Sequence, residues 1–156
     1  MTEQPTFVVR PVNWHASRDK LDAVRRSVFI EEQNVPEALE WDDMDERSYH
    51  VLAFDGDGAP IGTGRLLLDG HIGRMAVLKA WRRRGVGSAI LRALLELAQK
   101  EGHETVKLNA QKHALAFYKK HGFKAFGSEF MEAGIAHRAM KISIDPLPGR
   151  APQYED

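Results

Sequence analysis

The chain has 156 residues, with 22 Lys plus Arg balanced by 22 Asp plus Glu, 43% hydrophobic residues and no cysteine. Such a chain is expected to build one soluble domain on one core, and its zero net charge lacks the basic excess with which nucleic-acid and membrane-surface binders draw in their partners. The missing cysteines exclude a disulfide framework, thiolate-ligated metals and a covalent mechanism through a protein thiol.

The N-terminus has neither a basic flank nor an apolar run, and no stretch has the roughly 18 apolar residues of a membrane span, so a cytoplasmic location is expected. Phe7 to Val12 alternates like a strand. Ser17 is placed to cap a helix carrying Leu21, Val24 and Val28 on one face and ending near Gln33. From there to Ser48 the chain contains Pro36 and reads as a loop or short helix, too acidic to be buried as it stands. Tyr49 to Phe54, Ile61 to Leu68 and His71 to Val77 are strand-like, and Asp55-Gly56-Asp57-Gly58 and Asp69-Gly70 supply the turns of a three-strand antiparallel meander. After Ala80 to Arg84 comes the clearest helix, with Val86, Ile90, Ala93, Leu94 and Leu97 at helical spacing and Gly102 at its end. Thr105 to Ala110 reads as a strand and His113 to His121 as a second amphipathic helix stopped by Gly122. Two more strands follow near Ala125 to Glu132 and Arg138 to Ile144. The domain is expected to span 1–145, and residues 146–156 to form a loose tail.

The most informative segment is Arg82-Arg83-Arg84-Gly85-Val86-Gly87-Ser88, between a strand and the periodic helix. The first turn of a helix leaves about four backbone N–H groups unpaired and carries partial positive charge, an arrangement suited to phosphate when no side chain blocks the approach. Gly85 and Gly87 clear that approach. The Walker pattern fails for want of a Gly-Lys pair. The dinucleotide fingerprint fails at Ile90 and because the segment follows an antiparallel meander. What remains is R-x-x-G-x-G on a strand, loop and helix.

This pattern resembles the pyrophosphate-binding motif of the GNAT superfamily of acyl-CoA-dependent N-acetyltransferases. The resemblance extends to Arg74-Met75-Ala76-Val77 before the motif, to Asn109, and to Ala116-Phe117-Tyr118-Lys119-Lys120-His121-Gly122-Phe123, covering about Tyr49 to Ile144. Phe29 to Gln33, Glu40-Trp41-Asp42, Asn109-Ala110-Gln111 and Gly134-Ile135-Ala136-His137 are similar to the small ElaA-type branch. The resemblance implies a single α/β (α+β) domain whose central mixed, mostly antiparallel sheet is splayed between two strands and flanked by helices on both faces. It implies acetyl-CoA as co-substrate, and no metal is expected because no histidine pair has metal-ligand spacing. Met75, Ala76, Val77, Arg82, Arg83, Arg84, Gly85, Val86, Gly87, Ser88, Asn109 and Tyr118 would hold the cofactor. The acceptor would be a small-molecule or peptide amine, attacked directly in a ternary complex, and the assembly a homodimer.

By the same resemblance Tyr118 faces the thioester sulfur. With a thiol pKa of about 8.5 and a tyrosine pKa of about 10, complete proton transfer to the leaving thiolate is uphill by roughly 2 kcal/mol, so a strong hydrogen bond suffices. The amine must lose a proton, for which the resemblance points to Glu40 and Asp42. These lie within Glu31 to Glu46, eight acids in sixteen residues with no Lys or Arg. The stretch reads equally as a solvated acidic loop, as a docking surface for a partner, or as a lure for a cationic substrate opposite the arginines. His50, His113 and His137 are further proton-transfer candidates, His137 first among them as an acceptor-site residue.

Overall fold

The structure, a computed structural model, describes residues 6–146, so the expected tail beyond Pro146 and the first five residues lie outside the described residues. Seven strands form one open sheet in the order β1-β2-β3-β4-β5-β7-β6. β1 (Phe7–Val12), β2 (Tyr49–Asp55), β3 (Pro60–Leu66) and β4 (His71–Val77) make an antiparallel run. β5 (Thr105–Gln111) lies parallel to β4, and β7 (Ile135–Ser143) pairs antiparallel with both β5 and the edge strand β6 (Lys124–Glu132). The sheet is thus mixed and mostly antiparallel, as expected.

Side-chain alternation along β2 divides the core between two faces. Val51 and Ala53 enter the large cluster built on α3 (Val86–Lys100), through Val86, Ile90, Leu91, Leu94 and Ala98. Leu52 between them meets Trp14 and Leu21 of α1 (Trp14–Arg25) on the opposite face. α3 crosses between the parallel strands β4 and β5, while α4 (Leu115–Lys120) joins β5 to β6 and packs beside α3's cluster through Leu115, Phe117 and Tyr118.

Several boundaries differ from the sequence reading for identifiable reasons. Asn13, not Ser17, caps α1: its side-chain oxygen accepts from the Ala16 N–H at 3.2 Å. The helical path does reach Glu32, but Arg26–Glu32 is wound as a π-helix, a widening common at functional sites. The acidic stretch contains a four-residue α2 (Glu37–Glu40) and a 3₁₀ turn at Asp45–Arg47. It is not too acidic to bury, because Glu40 and Asp45 are almost wholly enclosed beside arginines. His113 to His121 is a 3₁₀ turn at Lys112–Ala114 followed by the six residues of α4. β7 starts at Ile135 rather than Arg138, because Ala133 and Gly134, at φ 52° and 78°, form a two-residue hairpin turn that pairs Ile135 with Glu132 at once.

One irregularity shapes everything that follows. Arg65 pairs with Gly73 and Thr63 with Ala76, so two residues of β4, Arg74 and Met75, stand opposite the single residue Gly64. This is a β-bulge, with Arg74 in the left-handed region at φ 50° and its carbonyl accepting from the Thr63 hydroxyl at 2.9 Å. A bulge bends its strand and increases the local twist. β4 accordingly keeps only two pairs with β5, His71 with Lys107 and Ile72 with Leu108, and then leaves it.

Candidate active site

Where β4 and β5 part, a cleft of about 1190 Å³ opens, and it reaches from Arg83, Gly85 and Gly87 at one end to Glu40, Asp42 and His137 at the other. Beyond Ile72, β4 has β3 on one edge and no strand on the other. Met75, Ala76, Val77 and, on the β5 side, Asn109 and Gln111 line the gap. An unpaired strand edge of this kind offers N–H and C=O groups that an amide-bearing chain can take up as an added strand.

At the head of α3, Gly85 stands at φ 85° with no side-chain cap. The first helical bond runs from the Ala89 N–H to the Gly85 carbonyl at 3.0 Å, so the amides of Val86, Gly87 and Ser88 precede the ladder. The Val86 side chain is buried in the core, and a Cβ on Gly87 would stand 3.5 Å from Phe117. The three arginines divide their duties. Arg82 grips Glu32 with both terminal nitrogens at 2.6 Å and donates from Nε to the Val77 carbonyl, and Arg84 lies over the Trp81 ring. Arg83 lines the cleft and has no acidic partner among the described residues.

Tyr118 reaches the cleft from α4, and its hydroxyl donates to the Met75 sulfur at 3.6 Å. Burial pushes this hydroxyl up to about 12. A phenol beside a splayed strand and a glycine-opened helix start is the constellation of an acyl-CoA-dependent transferase, and residues 15–144 match the family model of the acetyltransferase (GNAT) domain. The chain belongs to the GNAT acetyltransferases. It is 42% identical to the uncharacterized N-acetyltransferase YjcF of Bacillus subtilis over 75% of this chain and 86% of that one. Among solved structures, ElaA of Escherichia coli superposes with a TM-score of 0.77 at 26% identity, covering 87% of this chain and 99% of that one. An acyl-CoA N-acyltransferase of Pseudomonas aeruginosa gives 0.74 at 28% identity over 88% and 99%.

Within this GNAT domain the acidic stretch is not a free anionic surface. Five of its eight acids are held by arginines from elsewhere: Glu32 by Arg82, Glu37 by Arg26, Glu40 by Arg25 and Arg74, Asp42 by Arg65 and Arg74, and Asp45 by Arg25 and Arg65. Arg25, Glu40, Asp45 and Arg65 are each at most 5% exposed. Burial pushes the Glu40 carboxyl up against the pull of Arg74 and Arg25. Asp42 also feels burial, but hydrogen bonds and charge from Arg65 hold it below the usual carboxylate range. Arg82, expected to hold the cofactor with Arg83 and Arg84, is paired with Glu32, and Arg74 with Glu40 and Asp42.

The histidines separate clearly. His50 is buried on the α1 face, stacked on Trp14 with Nε2 2.7 Å from the Asp45 carbonyl, and does not line the cleft. His113 lines it from an exposed 3₁₀ turn. His137 lines it from β7, with only 6% exposure. Its Nδ1 sits 2.7 Å from the Ile135 carbonyl, which fixes the proton there and leaves Nε2 as the basic nitrogen, 3.7 Å from Glu132. Sequence reasoning missed Arg25 and Arg65. It missed also the reciprocal amide pair of Gln33 and Gln111, at 2.8 and 3.2 Å, which ties the end of the π-helix to the end of β5 across the cleft.

Proposed function

We propose that the protein transfers an acetyl group from acetyl-CoA to a primary amine by direct attack within a ternary complex. The observation that carries this reading is the single cleft joining the uncapped head of α3, the unpaired edge of Met75–Val77 and the Tyr118 hydroxyl. The CoA phosphates would sit on the amides of Val86–Ser88 with Arg83 beside them, and the pantetheine arm would pair along β4 as a missing strand. The amine lone pair attacks the thioester carbon. The oxyanion of the tetrahedral adduct takes hydrogen bonds from backbone N–H groups near Met75 and Val77, and collapse breaks the carbon–sulfur bond.

Tyr118 serves the departing sulfur. Its hydroxyl already donates to one sulfur, that of Met75. At about 12 its pKa stands some 3.5 units above a free thiol, making complete proton transfer cost about 5 kcal/mol. Tyr118 therefore stabilises the thiolate by hydrogen bonding, and the proton that neutralises CoA comes from solvent. Of the groups expected to take the amine's proton, Glu40 is enclosed and Asp42 is held ionised by Arg65, so both serve the arginines. The basic Nε2 of His137, directly or through one water, is the acceptor we assign.

The test is CoA release from acetyl-CoA with a panel of amines, with the product identified by mass spectrometry. N-acetylated product is expected. A chain that binds acetyl-CoA yet releases no CoA with any amine would be a binding module rather than a transferase. A bound-state structure with the CoA phosphates away from Arg83–Ser88 would overturn the cofactor placement.

A further inference from the structure

We infer that the amine acceptor carries a carboxylate of its own, bound by Arg74, so that the substrates are amino acids or short peptides rather than polyamines or other purely cationic amines. This rests on the N-acetyl transfer proposed above. The acceptor end of the cleft has an arginine wall and a carboxylate facing it from a separate hairpin. On the β4 side, Arg74 rises from the bulge immediately before Met75, the residue beside the proposed thioester. Its Nη2 is spent on the Glu40 and Leu39 carbonyls and Asp42, at 3.1 to 3.4 Å. Its Nε lies 2.9 Å from Glu40 Oε2 but off the hydrogen-bond line. Nη1 makes no hydrogen bond among the described residues, and the side chain is 26% exposed, in the cleft. Glu40, Asp42 and Arg65 thus set the fork in place and leave one arm of it for a ligand.

The charge behind that arm is formally balanced, and the burial of Glu40 tips it toward an anion. Three guanidiniums, of Arg25, Arg65 and Arg74, face three carboxylates, of Glu40, Asp42 and Asp45. Burial pushes Glu40 toward its neutral form, and burial with the nearby Arg65 and Arg25 holds Arg74 below the ordinary arginine range despite Glu40. An incoming carboxylate relieves that crowding. An incoming ammonium adds to it. On the opposite wall, Glu132 of the β6–β7 hairpin is the one carboxylate lining the cleft, among the described residues, that no arginine pairs with. Its side chain is 57% exposed and beside His137. A zwitterion therefore fits with its carboxylate on Arg74 and its ammonium toward Glu132, next to the base that deprotonates it.

The experiment compares glycine, β-alanine, γ-aminobutyrate and glycylglycine with their C-terminal amides and with a diamine, as kcat/KM from CoA release, in the wild type, Arg74→Gln and Arg74→Lys. Losing a charge-assisted hydrogen bond costs about 10- to 100-fold. At least one carboxylate should exceed its amide by that factor. Arg74→Gln should erase the preference, so that carboxylate and amide are turned over alike within that variant, and Arg74→Lys should restore part of it. Should the variants fail to fold, the wild-type ratio of carboxylate to amide decides alone. Amides or the diamine turned over as well as the carboxylates overturn the acceptor assignment and leave N-acetyl transfer standing. Binding of acetyl-CoA with no CoA release for any amine overturns both.

Discussion

Tyr118 illustrates how far a single residue's chemistry depends on its surroundings. In water a phenol is a feeble acid; buried between Phe117 and Phe123 it is feebler still, and its contribution reduces to an oriented O–H. Tyr118→Phe should lower kcat by about 10- to 100-fold, the worth of a hydrogen bond to an anionic sulfur, while the KM for acetyl-CoA moves by less than about twofold. An unchanged kcat in steady-state CoA release would remove the role. Arg25 makes the complementary point about stability. It bonds Glu40 and Asp45 at 2.9 Å each, and Arg25→Met would leave Glu40 to Arg74 and Asp45 to Arg65 alone. Breaking a buried pair from one side costs about 3–5 kcal/mol, a loss that urea unfolding should report. This residue was legible in principle. It follows Leu21 by four and precedes Val28 by three, on the apolar stripe of α1, and a cation there announces a buried acid elsewhere. What the one-dimensional reading lacks is the partner: the 15- and 20-residue separations to Glu40 and Asp45 are fixed by the turn of the chain around Pro36 and not by any local pattern.

The elements show a similar division. Helix α3, the meander and the glycine turn were legible because periodicity and turn chemistry act over a few residues. The bulge in β4 was not, since Gly73-Arg74-Met75 carries no mark of which residue lacks an opposite number; that is decided by the register with β3. The close seating of α3 is also a matter of two elements together. A Cβ on Gly64 would lie 2.7 Å from both Ile90 and Leu94 and 3.3 Å from Val51, three side chains that are themselves fully buried. Gly64→Ala should therefore cost about 1–3 kcal/mol by overpacking, seen as a lower urea midpoint at unchanged slope. Gly58→Ala, at a turn with φ 85° and open space around it, would act through backbone strain alone and leave the packing of α3 untouched.

At the scale of the whole molecule, zero net charge conceals a fold that spends its acids and bases on each other internally. That makes stability sensitive to pH in a definite direction. Burial holds the His50 imidazole below its ordinary 6.5. The unfolded chain therefore takes up this proton first, and the contribution of neutral His50 is complete above about pH 6.5 and is lost as pH falls through the folded value. Thermal unfolding followed between pH 7 and pH 5 should show a declining Tm, and His50→Gln should flatten that decline by up to about 1.4 kcal/mol per pH unit. His121, also lowered by burial, adds to the slope in the same sense and should persist in the variant.

The bulge at Arg74 gives the molecule a mechanical character. Four strands stand on one side and three on the other, and the ladder joining them is two residue pairs long. Each half is well knit, but the seam between them is the weakest line in the sheet, braced from outside by the Gln33–Gln111 link. An extended ligand lying in the seam would complete the sheet that the chain leaves open. Acetyl-CoA should thus act as a strut as well as a reagent. At a hundredfold excess over its Kd it should add about 2.7 kcal/mol of stability, and backbone hydrogen exchange should slow along both β4 and β5 rather than at the contact residues alone.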